Sequence, residues 1–134
     1  MNVFLCGSLY LLDLPGYGYA RAAKGERAGF ARLLAGVLER PRLSGVVWLL
    51  DIRHDPSTDD AAMQDRLAAA GVPVLATLTK GDKLPRGQRL RRAAALRAVV
   101  GLDEDQVIVT SAHTGEGIPD LRDAVAALAA QETR

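Results

Sequence analysis

Gly45-Val46-Val47-Trp48-Leu49-Leu50-Asp51 is the stretch from which the architecture can be read. Its apolar residues run on without alternation, so the strand they predict is buried on both faces, the pattern of a parallel sheet rather than of a half-wet antiparallel one. Trp48 is then a core residue. Two similar runs follow, Pro73 to Thr79 and Gln106 to Thr110. Helical spacing fills the intervals: Ala61 to Ala70 closed by Gly71, Gln88 to Val100 closed by Gly101, and Pro119 to Ala130 with a proline suited to its first turn. Ser57 to Asp59 are candidates for the first helix cap. Upstream, Glu26 to Arg40 is helical and stops at Pro41, while Val3 to Cys6 and Leu9 to Leu12 flank Gly7-Ser8 as a hairpin. Strands alternating with helices of this length mean βαβ crossovers, and the fold class is α/β with a mostly parallel sheet.

The chain has 134 residues, 49% of them hydrophobic, which suits one domain with a real core. Lys and Arg number 17 against 16 for Asp and Glu, so the charge balance gives no general argument for nucleic acid or an anionic membrane. The single cysteine, Cys6, excludes an internal disulfide framework and reads as inert core; His54 and His113 stand too far apart for a metal motif. A reducing, cytoplasmic setting is expected. The first residues, Met1 to Ser8, lack a basic leader and read as mature structure.

Three strand ends carry distinctive chemistry: Asp13-Leu14-Pro15-Gly16, Thr79-Lys80-Gly81-Asp82 and Ser111-Ala112. Parallel strands put their C-terminal ends on one edge, so these loops are expected to converge where α/β sheets bind ligands. Asp13 can hold Mg²⁺ through water, and the Gly16 amide can approach a terminal phosphate. Asp82 can accept from both adjacent N–H donors of guanine, whereas adenine would present it with an acceptor. Lys80 can lay its aliphatic stem on the base, and the Ala112 amide can donate to the guanine carbonyl while Ser111 shapes the turn.

In this order the motifs resemble those of a GTPase. More narrowly, Asp13-Leu14-Pro15-Gly16-Tyr17-Gly18-Tyr19-Ala20, Asp51-Ile52-Arg53-His54, Thr79-Lys80-Gly81-Asp82-Lys83-Leu84 and Ser111-Ala112 are similar to those of the EngB (YihA/YsxC) family of bacterial ribosome-assembly GTPases. The resemblance runs from about Asn2 to Leu128. It implies a P-loop GTPase-like three-layer fold, residues 1–134 forming part of a G domain, and binding of GTP or GDP with Mg²⁺. It also implies a role in assembly of the large ribosomal subunit and in cell division and septation. Tyr17 stands where Ras-like proteins place a water-orienting Gln, which implies another route to hydrolysis.

The resemblance also implies an earlier strand, a Gly-x-x-x-x-Gly-Lys-Ser loop with its helix, and a switch segment with a Mg²⁺-ligating Thr. No such loop occurs in the chain. The expectation is a chain shortened at its N-terminus, by a start assigned too late or a partial gene, with weak nucleotide binding and no autonomous hydrolysis. The implied strand belongs between the Leu9 and Val46 strands. Its absence predicts that these two close up directly, that another chain fills the slot, or that stability is poor. Arg86, Arg89 and Arg92 form a stripe at three-residue spacing that is either a solvated face or a contact for ribosomal RNA phosphates. With no membrane or DNA partner expected, a nucleotide-independent RNA- or protein-binding module and a non-functional remnant remain alternative readings.

Overall fold

A computed structural model describes residues 1–16 and 24–131. The chain forms two compact units, Met1–Leu43 and Ser44–Glu132.

In the first unit, β1 (Asn2–Cys6) and β2 (Leu9–Asp13) pair antiparallel, with Cys6 opposite Leu9 and Asn2 opposite Asp13. Gly7 takes φ +62° and is the only residue of the two-residue connection with positive φ, the pattern of a type II′ turn, whose twist matches that of the strands. Helix α1 (Lys24–Leu38) buries Leu34 and Val37, one turn apart. The hairpin buries little. Phe4 and Leu11 face each other across it, as do Leu5 and Tyr10, and all four side chains are exposed. Cys6 is exposed too, not core, because the hairpin is a two-stranded sheet and buries neither face fully.

The second unit is a three-stranded parallel sheet in the order β3 (Val46–Asp51), β4 (Val74–Thr79), β5 (Val107–Val109). Central β4 is buried along Leu75, Ala76, Thr77 and Leu78, as expected for a strand covered on both faces. Trp48 and Leu50 of β3 join Met63 and Leu67 of α2 (Thr58–Ala70) and Leu96 and Val100 of α3 (Arg86–Val100) among the buried residues. Ser57 caps α2 in a reciprocal capping box: Asp60 N–H donates to Ser57 Oγ at 3.1 Å, and Ser57 N–H to Asp60 Oδ2 at 2.8 Å. Gly71 and Gly101 end α2 and α3 in the left-handed conformation. Helix α4 (Ile118–Ala130) begins with its proline.

Of the three outcomes expected for the Leu9 and Val46 strands, direct pairing is not formed: β2 and β3 belong to separate sheets. Leu49 of β3 is 62% exposed although its neighbours Trp48 and Leu50 are buried, so this edge strand covers only one of its faces. Exposed apolar strands with unpaired edges template association. The chain is therefore expected to self-associate with rising concentration, measured by light scattering, and Leu5→Lys with Leu11→Lys is expected to reduce it.

Candidate functional site

The site begins where β4 runs out. Asp51 lies opposite Thr79 in the ladder, and Ile52 N–H donates to Thr79 O at 3.1 Å. The Thr79 hydroxyl turns back to Leu50 O at a long 3.4 Å. Lys80 then adopts φ +62°, the single non-glycine residue with positive φ among those described. Such a conformation costs a lysine about 1 kcal/mol or more, and it persists where surrounding contacts over-determine it.

One such contact is at the next residue. Gly81 N–H donates to Thr110 O at 2.9 Å, and a Cβ there would stand 2.9 Å from Val109 Cγ1 and 3.2 Å from Thr110 O. Only glycine lets the β4 loop come this close to the end of β5. A 3₁₀ turn over Gly81–Lys83 follows and presents Asp82. Asp82 Oδ1 accepts from the Ser111 hydroxyl at 2.8 Å, and Lys83 Nζ stands 4.0 Å from its other oxygen. The Ser111 hydroxyl bond, ahead of the neighbouring charges, holds the Asp82 carboxyl below its ordinary value.

Ser111 is fully buried and fixes its own loop as well. Its hydroxyl accepts from Thr114 N–H at 3.1 Å, its amide donates to Glu116 O at 2.9 Å, and its carbonyl accepts from Gly115 N–H at 2.8 Å. Next in the chain, Ala112 is exposed, and its amide meets no acceptor among the described residues. A carboxylate has about four acceptor positions. With one taken by Ser111, Asp82 retains capacity for two donors on one edge of a planar base. Asp82, Lys80, Ser111 and Ala112 thus meet at the C-terminal edge of the parallel sheet.

Asp13 and Gly16 belong to the first unit, where both are exposed. Their strand β2 lies in the hairpin, outside the parallel sheet, so the parallel alignment that gathers two of the three loops does not extend to the third. Tyr17, Gly18, Tyr19 and Ala20 of that motif lie outside the described residues. Among the described residues no three His, Cys, Asp or Glu side chains are grouped so that they could hold a metal ion.

Sequence reasoning gave Asp51 no role, yet it is the hub of the adjoining loop. Lys80 Nζ stands 3.3 Å from Asp51 Oδ2. Arg53 donates to the same carboxylate three times: from its amide at 2.9 Å, from Nε at 3.1 Å and from Nη2 at 2.8 Å. His54 Nε2 lies 3.8 Å away. The Arg53 side chain, opposed by partial burial and seconded by Lys80, holds the Asp51 carboxyl far below the usual range. The Asp-x-Arg spacing that permits this two-pronged clamp was the available signal. Arg89 and Arg92 are also committed internally. Arg89 Nε donates to Leu84 O at 2.9 Å and its Nη1 pairs with Glu116; Arg92 Nε donates to Ile52 O at 2.8 Å and its Nη1 pairs with Asp55 at 2.7 Å. Arg86 is exposed.

No protein-family model matches the chain. It is 50% identical over 121 residues to the probable GTP-binding protein EngB of Gemmatimonas aurantiaca, covering 90% of this chain and 59% of that protein. Against the proteins of the same description from Syntrophomonas wolfei and Bacillus subtilis, identity is 42% and 38%, over 62% and 57% of their lengths. Over most of its length the chain is similar to proteins described as EngB. It spans 57–62% of the length of these relatives. A crystal structure of a probable GTP-binding protein engB superposes with a TM-score of 0.77 at 16% identity, covering 96% of this chain and 82% of that one. The translation elongation factor SelB from Methanococcus maripaludis, in its apo form, gives 0.72 at 19% identity, over 98% of this chain and 28% of that one. These likenesses show the P-loop GTPase fold. Among the described residues no helix is long and apolar enough to cross a membrane.

Two predictions follow from the geometry. Gly81→Ala forces Val109 or the Thr110 backbone to move and is expected to destabilise the protein by about 1–3 kcal/mol in urea unfolding. Asp51 titrates lower when folded than when unfolded, so its contribution is fully present above about pH 4 and is lost as pH falls below it. Asp51→Asn is expected to flatten that acid-side decline in the thermal midpoint.

Proposed function

We propose that this chain carries the base-recognition half of a guanine-nucleotide site. Asp82 reads the two N–H donors of guanine, and Lys80 lays its stem along the base with its ammonium near Asp51. The Ala112 amide donates to the base carbonyl, and Ser111 orients Asp82. Thr79 ends the strand that delivers the loop. The observation that carries the reading is the Ser111–Asp82 hydrogen bond: a buried hydroxyl presets the carboxylate beside an unsatisfied, exposed backbone amide.

On this reading Asp13 is the Mg²⁺ contact, through water, and Gly16 the terminal-phosphate contact; bound Mg²⁺ would neutralise phosphate charge. The chain contains no Gly-x-x-x-x-Gly-Lys-[Ser/Thr] loop, which in P-loop proteins supplies most phosphate contacts. Affinity is then about millimolar at best, about −4 kcal/mol, or absent, and hydrolysis by this chain alone is not expected. The wider role we propose is a cytoplasmic one in large ribosomal subunit assembly, with consequences for cell division and septation, and with ribosomal RNA as partner. A nucleotide-independent RNA- or protein-binding module is the second reading, favoured by the exposed arginines of α3, Arg86 and Arg91, since Arg89, Arg92 and Arg97 are paired with Glu116, Asp55 and Glu104.

Titration of a fluorescent GDP analogue tests the first reading, using this chain and one extended upstream in the same reading frame. Weak binding by this chain, lost in Asp82→Ala and not matched by an ADP analogue, is the expected result, with much tighter binding by the extended chain. Equal affinity for GDP and ADP analogues, or binding indifferent to Asp82→Ala, would overturn base recognition.

A further inference from the structure

Arg89 has the sequence spacing of an outward-facing stripe, but the fold turns it to another task. Its side chain is only 18% exposed, and it donates from Nε to Leu84 O at 2.9 Å and from Nη1 to the Glu116 carboxylate. These two acceptors belong to different loops. Leu84 closes the turn that presents Asp82, its amide donating to Gly81 O at 3.2 Å, whereas Glu116 lies in the loop that follows β5.

Glu116 is also the residue on which Ser111 rests. Its carbonyl accepts from the Ser111 amide at 2.9 Å, and its own amide donates to Thr114 Oγ1 at 3.2 Å. With the Ser111 hydroxyl on Asp82 at 2.8 Å, these contacts close on themselves. From Asp82 the path runs through Ser111, Glu116, Arg89 and Leu84 to Gly81, the covalent neighbour of Asp82. Every member but Arg89 comes from one of the two loops. Arg89 reaches both from α3 because a planar guanidinium offers donors in two directions at once, which the single ammonium of a lysine does not match. Arg92, one turn further on, holds Ile52 O and Asp55 instead and stands outside the ring.

We propose that Arg89 is a positioning residue for base recognition, closing a ring of hydrogen bonds that fixes the Asp82 carboxylate and the Ala112 amide relative to one another. The proposal rests on the guanine-site reading above and adds to it a residue that acts through other groups. Reading one base edge with a carboxylate from one loop and an amide from another requires that their separation be set before the base arrives. Ser111 ties Asp82 to the second loop, but that loop is exposed from Ala112 to Glu116. Arg89 supplies its anchor to a helix.

Amide hydrogen exchange of the free chain tests the ring, and binding of fluorescent GDP and ADP analogues, by this chain and by one extended upstream, tests its role. Arg89→Met is expected to speed exchange at Ser111, Thr114, Gly115 and Leu84 by about tenfold and to leave the α2 amides of Asp60 and Gly71 unchanged. Arg89→Lys keeps the charge, loses the fork and is expected to recover little. The preference for the GDP analogue is expected to fall several-fold in Arg89→Met through weaker GDP binding, with ADP binding unmoved, a pattern that general loss of structure would not give. Arg97→Met removes a guanidinium of the same helix that pairs with Glu104, and is expected to change neither readout. Exchange that rises equally in α2, or not at all in the two loops, overturns the ring, as does full recovery in Arg89→Lys. Faster loop exchange with an unaltered GDP preference overturns the positioning role. No GDP preference in either unsubstituted chain overturns the base reading and the recognition role with it, and the exchange pattern then still decides the ring.

Discussion

The hydroxyl of Ser111, donated to Asp82 Oδ1 at 2.8 Å from a position with no solvent exposure, is the constraint on which the β4 loop depends. A buried hydroxyl must find partners, and here both its roles are filled: it donates to Asp82 and accepts from Thr114 N–H. The consequence runs in two directions. Asp82 is held ionised and oriented, and the loop from Ser111 to Gly117 is folded tightly enough that a Cβ on Gly117 would fall 2.0 Å from Val109 O. The Gly81 amide on Thr110 O completes the seam between two crossover loops that are far apart in sequence and adjacent in the sheet. Strand order produces the meeting; two glycines and one serine make it close.

Periodicity was enough for the parallel sheet but not for its coverage: the run Gly45 to Leu50 predicts a strand buried on both faces, whereas β3 stands at the edge of its sheet and leaves Leu49 exposed. Cap chemistry placed the helix ends, as Ser57, Gly71 and Gly101 show. The meeting of the β4 loop with the loop that follows β5 was legible for the same reason: Lys80, Asp82 and Ser111 sit at strand ends, and parallel strands share an edge. What sequence could not supply was a partner for a charged side chain. Arg89 and Arg92 have the spacing of a solvated stripe, but their nearest acceptors, Glu116, Asp55 and the carbonyl of Ile52, come from other segments of the chain. Spacing along a helix tells which residues share a face and says nothing of what stands opposite.

Asp51 illustrates the same limit at closer range. It ends β3 with its side chain only 19% exposed, where a bare carboxylate would be costly, and Arg53, two residues on, offers three donors that offset the cost. The residual acceptor capacity falls to Lys80, the strained residue of the β4 loop. A left-handed lysine between a glycine that must approach β5 and a carboxylate that must be neutralised is over-determined from both sides, which is why its conformation can be unfavourable locally and still fixed.

The hairpin obeys the opposite logic. Two antiparallel strands form readily from a type II′ turn, and the register of Leu5 with Tyr10 and Phe4 with Leu11 pairs apolar side chains on both faces. A two-stranded sheet alone is marginal in water, and this one leaves large apolar side chains exposed on each face. Such a sequence makes physical sense only as a strand pair built to be covered. The apolar content of Val3 to Leu5 and of Tyr10 to Leu12 is therefore not surplus core but an unmet demand for a neighbouring layer, and the same demand is legible in Leu49, the exposed apolar residue between two buried ones on β3.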